Sequence, residues 1–480
     1  MFEVAVNVAG YRMNEEIIKG IDFKGLDGEL ILIGGSSGSG KTTLLLTVSG
    51  VLTSLLGGWV DGVVKVNDVN TVKALENAVA TKLVGLVLQD PEKQVLMPTP
   101  LDEVLFTLEN LGYEEKDAVR TAMSVLGRFG LTGKELTHVE SLSGGEKRRL
   151  TLASATPHNP YLVMLDEPTA SIDPWGVREV RGYVAELIKE GHAVLVVEHK
   201  IKYFIDLAEK LILIDSGRKV AEFSSDELRS RDLLKRLRRS GVDAEPIHEP
   251  AEKTCGEKGA HDGVVLKVDD LECWYEEGRP IIRRVSFELR RGEILALVGP
   301  NGSGKTTLLK SIAGFHRKCS GEVRIASDKK KVFYVHQTPD YMFLENTLVK
   351  ELRHVTLKTG VPVEVLSERL PFFTLKKELS PYRLSLGQRR WLTLAIAWAY
   401  SPELILLDEP TAGLDLHLLK DFFSFIKTVS VRGTSFIIST HDPRVLSELA
   451  DRAILLEEGK AREIDPFKAA LMLESIAGVY

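Results

Sequence analysis

Two stretches of this chain, GGSSGSGKTT at residues 34–43 and GPNGSGKTT at 299–307, set glycines, a lysine and hydroxyl side chains at the spacing G-x-x-x-x-G-K-[ST]. That spacing suits the grip of a polyphosphate. Gly35, Gly38 and Gly40, with Ser36, Ser37 and Ser39 between them, let the backbone turn sharply and aim several N–H groups at one oxyanion. A helix starting at Lys41 adds its positive end to the same spot. Lys41 supplies a point charge for β- and γ-phosphates, and the Thr42 hydroxyl, followed by Thr43, can ligate Mg²⁺. Gly299, Pro300, Asn301, Gly302, Ser303, Gly304, Lys305, Thr306 and Thr307 repeat the arrangement. The elements around each loop fit. An apolar run precedes it (ELILIG, EILALVG), as for a buried parallel strand, and an amphipathic stretch follows (TTLLLTVSGVL, TTLLKSIAGF).

Four further landmarks recur in order after each loop. A glutamine ends an apolar run (Gln89 in VGLVLQDPE, Gln337 in KVFYVHQTPD). A short signature follows: Ser143, Gly144, Gly145 and Glu146 in LSGGE, and Ser385, Leu386, Gly387 and Gln388 in LSLGQ. Two acids close another apolar run, Asp166–Glu167 and Asp408–Glu409, each followed by Pro-Thr-Ala. A histidine closes the last, His199 and His441. Ser143 to Asp166 and Ser385 to Asp408 are both 23 positions, and Asp166 to His199 and Asp408 to His441 are both 33. The halves diverge upstream: lysine to glutamine is 48 against 32, and glutamine to serine 54 against 48. The second half is trimmed in its early strands and helical insertion, not in the acidic core.

The chemistry expected of these residues is metal-assisted phosphoryl transfer to water. Asp166 and Asp408 should hold Mg²⁺, with Thr42, Thr306, Gln89 and Gln337 completing its shell. Glu167 and Glu409 stand where a carboxylate can polarise an attacking water. His199 and His441 can bridge that water and the γ-phosphate. Such catalysis is positioning and charge stabilisation.

The 480 residues exceed one hydrophobic core. No apolar run approaches the roughly 18 residues of a membrane span. The N-terminal MFEVAVNVAGY is not laid out as a signal peptide. A net charge of −6 argues against a strongly cationic nucleic-acid binder. Cys255, Cys273 and Cys319 show no metal-ligand spacing and read as free thiols of a reducing cytoplasm. The chain has only four glutamines, with abundant charge, which resembles a thermophile's composition.

The motif set resembles the ATP-binding cassette (ABC) family over nearly the whole chain. The resemblance implies an α/β fold: two tandem P-loop, RecA-like domains, each with an antiparallel β region and a helical subdomain. It places the first at residues 1–223, a linker at 224–264 and the second at 265–480. It also implies a head-to-tail pseudo-dimer, each ATP lying between one domain's phosphate loop and the other's signature, and ATP and Mg²⁺ as ligands. Tyr11 and Tyr275, each 30 positions before the loop lysine, are then expected to stack on adenine. Asp173 and Asp415 resemble the loop that communicates between the domains. On the signatures alone, Leu386, standing where glycine is usual, weakens the site that uses the second signature, so the heavier loss is expected from mutating Glu409. The linker opens with a basic helix (Arg229, Arg231, Lys235, Arg236, Arg238, Arg239), read as a solvated face.

Within that family, QDPEKQVLMPTPLDEVLFTLENLG at 89–112 resembles the ATPases of energy-coupling factor importers, which take up vitamins and transition-metal ions. There Gln94 and the run Asp102, Glu103, Phe106, Glu109 and Asn110 would meet a membrane subunit. The resemblance implies an ATP-hydrolysing subunit on the cytoplasmic face of the cell membrane, partnered by integral membrane and substrate-selecting subunits, with no nucleic acid. The fused double ATPase of sugar importers fits this segment less well. A soluble double cassette acting on ribosomes is the other alternative, although the recycling members' iron-sulfur cysteine cluster is missing. The second half keeps only part of the segment, with Met342 and Lys350 where Gln94 and Asp102 stand.

Overall fold

The computed structural model describes all residues except 14, 37, 75–78, 171, 240–241, 245, 248–262, 327–330, 415 and 480. Ser37, Asp415 and much of the expected linker therefore lie outside the described residues. The chain divides into two compact units, one within the first 245 residues and one chiefly from residue 246 onward.

Each unit is built on a six-stranded sheet with the same strand order. In the first it runs Arg218–Ser224, Lys210–Asp215, Leu30–Gly34, Ala193–Val197, Leu162–Asp166, Val84–Val87. In the second it runs Lys460–Ile464, Arg452–Glu457, Ile294–Val298, Ser435–Ser439, Leu404–Asp408, Val332–Val335. Only the outermost pair at one edge is antiparallel. The three central strands of each sheet are buried at every position, because a parallel sheet is covered on both faces. Their apolar runs thus read as continuous and not alternating. A smaller antiparallel sheet accompanies each, four-stranded in the first unit and three-stranded in the second.

The helical region also differs. The first unit has helices Pro100–Asn110, Glu115–Arg128 and Gly144–Ala155. The second has Leu348–Thr359, two short pieces at Val363–Ser367 and Phe373–Lys376, and Leu386–Ala399. The smaller part of the expected shortening falls there; the larger part falls upstream, where Trp59–Val66, Val69–Asn70 and three short helices of the first unit are matched only by Cys319–Ile325 among the described residues of the second. After the first sheet, helix Arg231–Arg239 buries Leu233 and Leu237 and leaves Lys235 and Arg236 exposed, a solvated basic face.

The reading of free thiols is corrected at two of three positions. Strands Val264–Trp274 and Cys319–Ile325 pair with Cys273 directly opposite Cys319, and the two sulfurs are joined in a disulfide. The two cysteines are 46 positions apart, and nothing in the sequence signals that register. Cys255 lies outside the described residues.

Candidate functional site

The phosphate-loop lysines mark the start of each site. Strand Leu30–Gly34 ends at the loop, and helix Lys41–Val48 begins behind Gly40, whose φ of 102° only glycine adopts freely. No side chain caps that helix, so its first N–H groups are open to a ligand. Lys41 is buried and donates to the carbonyls of Gly35 (2.9 Å) and Ser36 (2.8 Å). Lys305 does the same to Gly299 (2.8 Å) and Pro300 (3.1 Å). The hydroxyls of Ser39 and Ser303 are buried without a partner. A cradle of this kind fits a polyphosphate. Tyr11 and Tyr275 flank it, each hydroxyl 3.5 Å from Thr43 or Thr307 and each ring partly exposed.

At the sheet's carboxyl edge the first unit assembles the other residues closely. Glu167 follows its strand with φ at +44°, a left-handed turn that costs on the order of 1 kcal/mol or more in a non-glycine residue and aims the carboxylate back over the sheet. His199 Nε2 lies 2.8 Å from Glu167 Oε1, and Gln89 Nε2 donates to Oε2 at 2.7 Å. Burial pushes the Glu167 carboxyl up, but the His199 hydrogen bond and charge, with Lys41 behind them, hold it below the usual glutamate value. Burial, then the Glu167 charge, pushes Asp166 up to about 6. Thr42 hydrogen-bonds to Asp166, whose Oδ1 is buried without a partner. A carboxylate and hydroxyl so placed fit a divalent cation.

The second unit places the same residues less tightly. Glu409 also turns at positive φ (+48°). His441 Nε2 is 3.0 Å from Asn301 Oδ1 and 3.2 Å from Glu409 Oε1, and only the first is aligned as a hydrogen bond. Gln337 is exposed and makes no side-chain hydrogen bond among the described residues. Burial pushes Glu409 up to about 7.

Several residues at the sites are not among those the motifs pointed to. Glu198 is buried and accepts from the backbone of His199 (2.8 Å) and Lys200 (3.2 Å) and from Thr169, tying the histidine turn to the Pro-Thr-Ala loop. Thr440 takes its place in the second unit, so the repeat gave no hint of it. Arg148 reaches the carbonyls of Gln89 and Ala170 (both 3.2 Å), and Arg390 that of Glu409. These matched arginines, five positions after each signature serine, could have been found from the repeat.

The family model described as ABC transporter matches residues 18–170 and again 282–412, more than half of the chain. The chain belongs to the ABC transporter family. A provisionally named ABC transporter ATP-binding protein of Methanosarcina mazei is 29% identical, over 93% of this chain and 85% of its own. One from Saccharolobus solfataricus is 30% identical, over 90% and 88%. A provisionally named HMP/thiamine import ATP-binding protein, YkoD, of Bacillus subtilis is 29% identical, over 92% and 87%. Among solved structures, RNase-L Inhibitor superposes with a TM-score of 0.66 at 20% identity, over 94% of this chain and 89% of that one. A model of ribosome-bound archaeal Pelota and ABCE1 gives 0.69 at 21%, over 94% and 77%. At those identities the likeness speaks for the fold alone. The chain is an ABC ATPase with two tandem cassettes.

Each ABC signature opens a helix through a reciprocal cap. Ser143 accepts from Glu146 N (3.3 Å), and the Glu146 carboxylate accepts from Ser143 N (2.8 Å). Ser385 and Gln388 repeat it, with Lys376 on Gln388 as Lys134 is on Glu146. Gly144 is not among the glycines with positive φ, so Leu386 in its position carries no backbone strain. The Leu386 side chain is half-buried and rests on Gly413, within its own cassette. Backbone strain therefore does not weaken the second signature, and only the bulk of the Leu386 side chain, which limits how closely the backbone can approach a phosphate, remains to do so.

The Lys134 hydrogen bond, then the Ser143 backbone, hold Glu146 down to about 2. A depressed carboxylate stabilises the fold above its unfolded value and loses that contribution as pH falls towards the folded one. Glu146→Gln, the residue of the second cassette, should therefore cost about 1 kcal/mol at pH 7. The difference from wild type should shrink as pH falls below about 4.5 and vanish only below about pH 2 in thermal melts followed against pH.

Two residues expected at a partner surface serve the fold instead. Gln94 clamps its own strand, donating to Leu86 O (3.0 Å) and accepting from Leu88 N (2.8 Å). Glu103 is buried and accepts from Leu96 N (2.9 Å) and Met97 N (2.8 Å). Glu351 does the same for Leu344 (2.9 Å) and Glu345 (2.8 Å). Helical spacing forces this outcome: Glu103 sits on the inner face with Val104 and Leu108, whereas Asp102, Phe106 and Glu109 face out. Glu103→Ala strands two backbone N–H groups. It should destabilise the first cassette by about 2–4 kcal/mol in urea unfolding, with little change from Asp102→Ala.

Proposed function

We propose that this chain is the ATP-hydrolysing subunit of a membrane importer of the energy-coupling factor type, moving a vitamin or transition-metal ion and working at the cytoplasmic face of the membrane. The observation that carries the reading is the segment 89–112. It resembles the importer ATPases in sequence, and its outer face presents Leu96 (69% exposed) and Phe106 (41%) beside Asp102 and Glu109. An apolar and acidic surface suits a basic, apolar segment of a membrane subunit. The full-length likeness to the import ATPase of Bacillus subtilis supports it. No described helix is long and apolar enough to cross a membrane.

In each cassette the loop N–H groups and the helix end bind the phosphates, and Lys41 or Lys305 turns from the loop carbonyls to the β- and γ-phosphates. Tyr11 and Tyr275 offer their ring faces to adenine. Thr42 with Asp166, and Thr306 with Asp408, would hold Mg²⁺. Held there, the ion would supply positive charge to offset that of the phosphates. Glu167 accepts a hydrogen bond from the attacking water and aligns it. His199 fixes that carboxylate and reaches the γ-phosphate side, and Gln89 fixes its other oxygen.

A tagged full-length chain extracted from native membranes should bring with it a hydrophobic transmembrane protein. Asp102→Lys with Glu109→Lys should release that protein and leave ATP affinity unchanged. Recovery of ribosomal particles in place of a membrane protein would overturn the importer reading and leave the ATPase assignment standing.

A further inference from the structure

The two cassettes share a backbone but not the surroundings of the metal-binding aspartate. In the second, Ser439 Oγ donates to Asp408 Oδ1 at 2.5 Å and the Tyr334 hydroxyl donates to Oδ2 at 3.0 Å. The sheet register sets this up, with Asp408 opposite Ser439 and Tyr334 opposite Leu406. The first cassette has the same registers, with Asp166 opposite Val197 and Leu86 opposite Met164. Valine and leucine have nothing to donate, so Asp166 takes only the Thr42 hydrogen bond and its Oδ1 has no partner among the described residues.

Both donors are fixed in direction. Ser439 Oγ accepts from Glu409 N at 3.1 Å, which leaves its own proton for Asp408. The Tyr334 ring is set edge-on against Phe315 and His336, with centroids 5.9 and 6.0 Å away. A carboxylate has no proton to give, so the phenol is the donor of this hydrogen bond.

We propose that Tyr334 and Ser439 are positioning residues that draw charge from Asp408, so that ATP held by the second cassette gains less from Mg²⁺ than ATP held by the first. A carboxylate with an O–H donor on each oxygen has less charge and fewer lone pairs to offer a cation or its water shell. A hydrogen bond to a charged group typically shifts an equilibrium by about tenfold. The inference rests on the reading of Asp408 as the carboxylate that holds Mg²⁺ in this cassette.

The test uses the full-length chain with Lys41→Ala, so that a fluorescent ATP analogue reports the second cassette. Its affinity is measured with Mg²⁺ and with EDTA, and the ratio of the two is the metal gain. Tyr334→Phe keeps the ring and removes only the donor, and should raise the metal gain about threefold to tenfold. Leu86→Tyr, in a Lys305→Ala chain, should lower the metal gain of the first cassette. An unchanged or reduced gain in Tyr334→Phe, with an unaltered melting temperature, would overturn the inference. Asp408→Asn should abolish the gain; if the full gain survives it, the reading of the site fails and takes the inference with it.

Discussion

A chain carrying Glu167→Gln and Glu409→Gln should bind ATP as wild type does and hydrolyse it at least about a hundredfold more slowly. Glutamine keeps the shape and loses the carboxylate that orients the water. The single variants should differ, and Glu167→Gln should remove the larger share of turnover. Glu167 is held by His199 on one oxygen and Gln89 on the other. His441 gives its aligned hydrogen bond to Asn301, and Gln337 is exposed and makes no side-chain hydrogen bond among the described residues. The signatures alone suggested the opposite order; the helical backbone at Leu386 carries no strain, so that order now rests only on the bulk of its side chain, which is turned onto Gly413. Phosphate release by each single variant, beside equilibrium ATP binding, decides it. A larger loss from Glu409→Gln would return weight to the signatures.

Gly35→Ala should abolish nucleotide binding at the first cassette, weakening it by about a hundredfold or more. A Cβ there would lie 2.2 Å from the carbonyl oxygen of Ile214, and the residue's φ is +157°. The loop can accept that methyl only by moving off the strand, which dismantles the row of N–H groups. Gly299→Ala meets the Leu456 carbonyl oxygen at 2.1 Å and should do the same to the second cassette. Gly38→Ala is the control. No atom lies within 4 Å of its Cβ, so it costs only the strain of φ +78°, about 1 kcal/mol. Titration with a fluorescent ATP analogue measures all three. Equal losses at Gly35 and Gly38 would show that backbone conformation, not the close carbonyl, governs the loop.

The residues of the phosphate cradle and the acidic strand ends were legible because their chemistry requires particular residue types at fixed intervals, and the duplication supplied a second copy to measure against. The sheet was legible for the same reason: LILIG, LVMLD and AVLVV are buried runs that only a covered parallel sheet uses. What the sequence hid were contacts set by register between distant strands. Tyr334 and Ser439 meet Asp408 from two neighbouring strands, and Cys273 meets Cys319 across a third pairing. Glu103 was misread because a motif run gives no inside or outside. The helix does, and it turns Glu103 inward and Asp102 outward.

The central claim is that each cassette binds ATP through its own phosphate loop. Equilibrium dialysis of the Glu167→Gln, Glu409→Gln chain with ATP and Mg²⁺ tests it most directly. The expected result is two ATP per chain, falling to one when either Lys41→Ala or Lys305→Ala is added. A stoichiometry of one that only one of those lysine variants abolishes would contradict it.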